Sequence, residues 1–254
     1  MLALMPGLSM EVLERLYRRE LPRLHAFARR MVGDDETAED IVQECFAVAA
    51  ERGEAFRGES SEFTYLAAIV KNLCYARLRR TREISFEDIE ELVDRCSEPP
   101  SPERSESDIG LYAIEVRDGC LLGLLKCLPR AQRCVFVLHL LKGVSIEQAA
   151  AIMGRSVNAT RILLSRSRSS MRTFLCANCS LMREGNKCSC ANMIEFSLKR
   201  GLIRRLDDRA RAEAVLSELR CIGDELELYR SLPDSETAIT RLVEEGAYPL
   251  FSKK

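Results

Sequence analysis

Tryptophan is missing from the 254 residues, histidine occurs twice, and aromatics amount to 6%. Sandwich folds draw on Val, Thr, Tyr and Trp, so this scarcity argues against a β-rich chain. Long apolar runs are missing too. The longest, Cys134 to Leu141 with His139 inside it, ends at Lys142, well short of the roughly 18–20 residues that cross a bilayer. The N-terminus has neither a basic n-region nor a small-residue cleavage site, which argues against a secretory signal. No Gly-rich phosphate loop and no HExxH helix occurs, and two distant histidines cannot complete a Ser/His/Asp set. The expectation is a soluble, cytoplasmic protein with no membrane partner and no enzymatic activity.

Leu, Ala, Arg and Glu recur throughout, and their spacing predicts an all-α chain. Leu13, Leu16, Leu21, Leu24, Ala28 and Met31 mark one helical face, with Pro22 expected to kink or restart the helix. A second helix runs from about Glu36 to Arg52. Ser60 and Ser61 can cap a third, whose apolar side carries Phe63, Leu66, Ile69, Val70, Leu73 and Leu78. Residues 9–84 therefore form one small helical domain. Residues 85–110 are acidic and contain Pro99, Pro100 and Pro102, the composition of a flexible tether. A second helical domain is expected over 111–175. Beyond it lies a cysteine-rich helical extension over 176–254, with helices at 193–206, 208–228 and 236–245.

Net charge is −1, so the whole chain predicts no polyanion partner, but its local charge does. Lys71 to Arg82 holds five basic residues and no acid, as does Arg155 to Arg172, while Glu83 to Asp108 between them holds ten acids. Two basic clusters split by an acidic spacer suit a two-point nucleic-acid binder. Within the second cluster, Ser145 can cap a short helix, Gly154 can turn the chain, and Ser156 can cap the next helix. Val157, Leu164 and Met171 would face inward while Arg161, Arg166 and Arg168 project outward. That is a helix-turn-helix pattern, in which Arg and Asn read base edges and Ser and Arg hold phosphates.

The stretch LPRAQRCVFVLHLLKGVSIEQAAAIMGRSVNATRILLSRSRSSMR resembles region four of the extracytoplasmic-function (ECF) sigma factors. YRRELPRLHAFARRMVGDDETAEDIVQECF and FRGESSEFTYLAAIVKNLCYARLRR resemble their region two, in family order. The resemblance implies two DNA-binding domains that join bacterial core RNA polymerase to promoter DNA. In DIVQE, Asp40, Gln43 and Glu44 share one polar helix face. The resemblance makes that face the grip on the β′ clamp helices, and region four the partner of the β flap. It places Phe56, Arg57, Lys71 and Asn72 beside an unstacked −10 base, with Arg77, Arg79 and Arg80 on the backbone. Arg155, Ser156, Asn158, Ala159, Arg161 and Ser165 match positions facing the −35 element, with Arg166 and Arg168 beside them on phosphates. Departures from the family pattern include Tyr65 where Trp is usual and Leu163 where Arg is usual. A plain helix-turn-helix regulator, acting without polymerase, is the competing class; it has no need of DIVQE.

Most of the eleven cysteines are scattered in apolar patterns and read as small buried hydrophobes. Cys176, Cys179, Cys188 and Cys190 are clustered. Their CxxC and CxC arms can surround one tetrahedral Zn²⁺, with Gly185 and Asn186 at the turn. A thiol–disulfide switch and inert thiols are the other readings. The extension is expected either to regulate the domains before it through metal or redox state, or to be a purely structural knuckle.

Overall fold

The computed structural model describes residues 10–51, 60–79, 81, 84–141, 143–203 and 224–230. The helices are α1 Met10–Val32, α2 Asp35–Glu51, α3 Glu62–Leu78, α4 Phe86–Cys96, α5 Glu106–Leu125, α6 Arg130–Leu140, α7 Ile146–Met153, α8 Val157–Asn178, α9 Ile194–Lys199 and α10 Glu225–Arg230. Among the described residues there is no strand, only an isolated bridge between Cys179 and Cys188. No described helix is long and apolar enough to cross a membrane. The chain folds as two compact units, each assembled from two stretches: 1–81 with 130–166, and 82–129 with 167–254. These units cut across the linear domains that the sequence suggests.

The first unit is organised by α1, α2 and α3, with Leu16, Leu24, Phe27, Met31, Ile41 and Leu66 sealed between them. A fully buried side chain of this size is worth about 1.5–3 kcal/mol. One helix runs through Pro22, so no second helix begins there. Gly33, at φ 93°, breaks the chain after α1. The Asp34 carboxylate then caps α2 by accepting from the amides of Glu36 at 3.2 Å and Thr37 at 2.8 Å. At α3 the expected cap is present, Ser61 Oγ accepting from the Thr64 amide at 3.2 Å. α6 packs on α1 and α7 on α3. A buried Arg133 guanidinium joins two of these elements by donating to the Met31 carbonyl at 2.8 Å.

The second unit overturns the expected flexible tether. Ser85 forms a capping box with Asp88 and starts α4, whose Leu92 and Val93 are buried. Ile89, Leu92, Val93 and Cys96 fall at i, i+3, i+4, i+7, so the acids of this segment decorate the outer face of an amphipathic helix. The proline stretch after it is also pinned. The Glu98 amide donates to Asn192 at 2.9 Å, and Glu195 accepts from the Ser101 amide at 3.0 Å and from Arg104 at 2.6 and 3.1 Å. Composition counts the charges but not their partners. Lys187 pairs with Asp94, and Lys199 with Glu98.

Leu92, Tyr112, Ala113 and Val116 form one hydrophobic core with Met193, Ile194, Phe196, Leu202 and Ile203. Residues up to 203 of the cysteine-rich segment therefore share a core with α4 and α5. The helix expected over 193–206 is shorter in fact: a 3₁₀ turn at Ala191–Met193 leads into α9, and Gly201 at φ 66° closes it. Of the helix expected over 208–228, residues 225–228 are seen, within α10, and 208–223 lie outside the described residues. So does the one expected over 236–245.

Candidate nucleic-acid interface

On α2 the apolar side chains Ile41, Val42 and Cys45 point into the core, and this leaves Asp40, Gln43 and Glu44 together on the exposed side. Glu44 makes a loose ion pair with Arg77 of α3 at 3.5 Å, both side chains about half exposed. The family resemblance gives the two residues different partners, polymerase and DNA, yet they pair with each other.

Of the residues assigned to the −10 strand, Phe56, Arg57 and Arg80 lie outside the described residues. Asn72, Arg77 and Arg79 are exposed at the end of α3, a cationic surface suited to a nucleic-acid backbone. Lys71 is different. It is half-buried, and its ammonium donates to the Ile152 carbonyl near the end of α7 at 2.9 Å. Burial lowers its pKa, opposed by the nearby Cys134 and reinforced by Arg155. Phe63 sits in the core with the Arg23 guanidinium 3.8 Å above its ring, and Tyr65 is half-buried.

The helix-turn-helix is built as its local signals dictate. Ser145 and Gln148 form a capping box, Gly154 adopts φ 64° at the C-cap of α7, and Ser156 Oγ accepts from the Ala159 amide at 3.2 Å. A left-handed residue at that C-cap favours glycine, because a Cβ there is strained. Arg155 and Ser156 just before α8, and Asn158, Arg161, Ser165 and Arg166 on it, are exposed to solvent, with Ala159 half-buried. Its Thr160 and Met171 are fully buried, while Val157 and Leu164 are half-buried. Arg161 reaches Glu147 of α7 at 3.4 Å, an exposed pair that leaves the guanidinium accessible. Sequence reading passed over Ile162, which is 53% exposed on the same face. An apolar side chain among polar readers suits a thymine methyl.

Further along α8, Arg168 donates to Glu225 Oε1 at 2.8 Å and Arg172 to Glu225 Oε2 at 3.2 Å. Neither Arg172 nor Glu225 was singled out in the sequence, and no local pattern joins positions so far apart.

The cysteine cluster forms a small folded loop within the second unit. The Ser180 amide donates to Cys188 at 2.9 Å and the Cys188 amide to Asn178 at 3.1 Å. Gly185 turns the chain at φ 85°, and the Asn186 side-chain amide donates to the carbonyls of Cys176 at 2.9 Å and Cys179 at 3.0 Å. Cys179, Cys188 and Cys190 line an apolar cavity of about 80 Å³ that Cys120 of α5 also lines, whereas Cys176 does not. Burial pushes the Cys188 thiol up to about 12 and raises Cys120 and Cys190 as well, so at neutral pH these are protonated and poor nucleophiles. Among the described residues no three His, Cys, Asp or Glu side chains converge as a metal-binding group. The four clustered thiols thus do not stand as a preformed tetrahedral set.

Helical throughout the described residues, the chain carries an open helix-turn-helix and a basic surface on α3, an arrangement suited to DNA. Residues 16–84 match the family described as Sigma-70 region 2, and residues 118–171 that described as Sigma-70, region 4. The ECF RNA polymerase sigma factor EcfG of Rhodopseudomonas palustris is 30% identical over 142 residues, 56% of this chain and 72% of that protein. SigE of Mycolicibacterium smegmatis is 30% identical over 58% of this chain and 55% of its own length, and BldN of Streptomyces coelicolor 28% identical over 59% and 54%. With those two, this chain matches only about half of the relative's length. The co-crystal structure of the sigma factor RpoE with the anti-sigma factor NepR from Bartonella quintana covers 64% of this chain and 95% of that chain, at 23% identity and a TM-score of 0.45. The chain belongs to the ECF sigma factor family. Sigma factors are non-enzymatic transcription initiation factors.

Proposed function

We propose that this protein binds bacterial core RNA polymerase and directs it to a defined set of promoters in the cytoplasm. One observation carries the reading: both sigma regions occur in order on one chain that keeps the polar face of α2 exposed and holds a complete helix-turn-helix. Asp40, Gln43 and Glu44 would grip the β′ clamp helices, and region four the β flap. The α3 surface would hold the −10 strand, and the N-terminal half of α8, with Ile162 added to its readers, would face −35. Transcription with purified core polymerase on a library of promoter fragments tests this. Promoter-specific transcripts that require the added protein support it, and their absence together with no binding to core overturns it in favour of a regulator that acts without polymerase.

The cysteine-rich segment is proposed to regulate this activity. Zinc held by Cys176, Cys179, Cys188 and Cys190 requires the four sulfurs to be drawn together and their protons displaced, which a metal ion can drive in spite of the raised pKa of Cys188 and Cys190. Elemental analysis of protein purified under reducing conditions decides it. About one zinc per chain, lost on Cys188→Ser with Cys190→Ser, supports the site, and unchanged transcription in that variant reduces it to a structural knuckle. Metal-free protein with native structure removes zinc and leaves oxidation of the thiols to be tested.

A further inference from the structure

Within the second unit, α10 lies on the C-terminal half of α8. Leu226, Leu228 and Tyr229 of α10 are buried, and the Tyr229 hydroxyl reaches the Met171 sulfur at 3.9 Å. Glu225 is the charged residue at the start of this short helix, and its side chain is only 1% exposed. A carboxylate that has lost its water needs compensating donors. Glu225 finds them in Arg168 and Arg172, each of which satisfies one oxygen. Asp224, next to it, caps α10 by accepting from the amides of Leu226 at 2.9 Å and Glu227 at 3.0 Å, and adds a second negative charge near the same arginines.

The two arginines are not buried in return. Their side chains are 39% and 55% exposed, so they remain on the surface of α8 with unused N–H groups. By helical spacing Arg161, Ser165, Arg168 and Arg172 fall at i, i+4, i+7 and i+11, a single stripe. The stripe begins with the residues that face DNA in the sigma reading and ends under Glu225. An arginine fork accepts carboxylate and phosphate with the same geometry, so a phosphodiester and Glu225 are alternative occupants of the same donors.

We propose that the surface made by Arg168 and Arg172 is a DNA-backbone site that the chain itself fills, with Asp224 and Glu225 standing in for phosphates. DNA engaging these arginines would strip Glu225 of its partners and leave a buried uncompensated charge, so α10 must lift off. A six-residue helix has no stability of its own away from its packing surface, so it leaves as a unit. The segment thereby weakens DNA binding by the free chain. This rests on the reading of α8 as the DNA-facing helix.

The test uses the full chain and a short mixed-sequence duplex, because phosphate contacts carry no sequence information. Glu225→Gln keeps the shape and removes the charge, and its affinity for the duplex should rise about fivefold or more, the scale of a modest coupling between sites. Adding Arg168→Ala and Arg172→Ala should abolish that gain. Independently, hydrogen exchange of the amides of 225–230 in the unaltered protein should accelerate when duplex is added. This measurement carries the test alone if the glutamine variant is misfolded by circular dichroism. Equal affinities for the unaltered and Glu225→Gln proteins, or exchange at 225–230 that stays unchanged or slows on DNA binding, overturn the inference and leave the sigma reading intact. Absence of any DNA binding by the proteins, alone or with core polymerase, overturns both.

Discussion

Lys71 donates to the carbonyl of Ile152 at 2.9 Å, linking α3 to α7, the first helix of the helix-turn-helix, inside one compact unit. An ammonium committed to that carbonyl is not free for a DNA strand, so promoter engagement by Lys71 has to break the bond. Lys71→Ala should therefore do two things. It should cost about 1 kcal/mol of stability, the typical net value of a hydrogen bond, read by denaturant unfolding. It should also weaken binding of −10 single strands to the polymerase complex several-fold. Lost stability with unchanged strand binding would make Lys71 a structural tie alone.

Glu44 and Arg77 sit 3.5 Å apart with both side chains about half exposed, a pair worth about 0–1 kcal/mol. The double variant Gln43→Ala, Glu44→Ala should accordingly melt within a few degrees of the unaltered protein. Its affinity for core polymerase should fall by tenfold or more if the α2 face is the polymerase grip. Undiminished affinity in a binding titration would assign that grip elsewhere.

Glu195 is held by Arg104 and by the Ser101 amide, and these hydrogen bonds depress its carboxyl to about 2 from 4.5. A carboxylate with a depressed folded-state pKa contributes stability that is complete above the unfolded value and is lost as pH falls through the folded one. The contribution should thus disappear between about pH 4.5 and 2. Thermal unfolding across that window should show a shallower decline for Glu195→Gln than for the unaltered protein. Parallel declines would mean that the proline segment is anchored mainly by its other contacts.

Arg161 has only an exposed partner, Glu147 at 3.4 Å, so little is lost when it turns to DNA. Arg161→Ala should cost about 1–3 kcal/mol on the preferred −35 duplex and relax base choice at one position. A competition binding series over single-base variants measures this. An equal loss on every duplex would show that Arg161 reads the backbone.

Much of this protein was legible from short stretches of chain. The Ser145 cap, the turn at Gly154, the Ser61 cap and the exposed face of Asp40, Gln43 and Glu44 all follow from neighbours within four residues. At that range periodicity and hydrogen-bond chemistry leave few alternatives. The segment from Ser85 to Gly110 misled for an instructive reason. Its charge and prolines argue for an extended tether in isolation, but Leu92 finds an apolar surface on Met193, Ile194 and Phe196, and Arg104 finds Glu195, 91 positions away. Likewise Cys120 reads as an ordinary core cysteine until folding sets it in the cavity that Cys179, Cys188 and Cys190 line.

Glu225 meets Arg168 and Arg172 across 57 and 53 positions. The sequence by itself determined where helices begin, which faces are apolar and where the positive charge of α8 lies. Only the tertiary structure decided which distant acid answers that charge, because an ion pair's partner is chosen by which surfaces pack, and packing is a property of the whole chain.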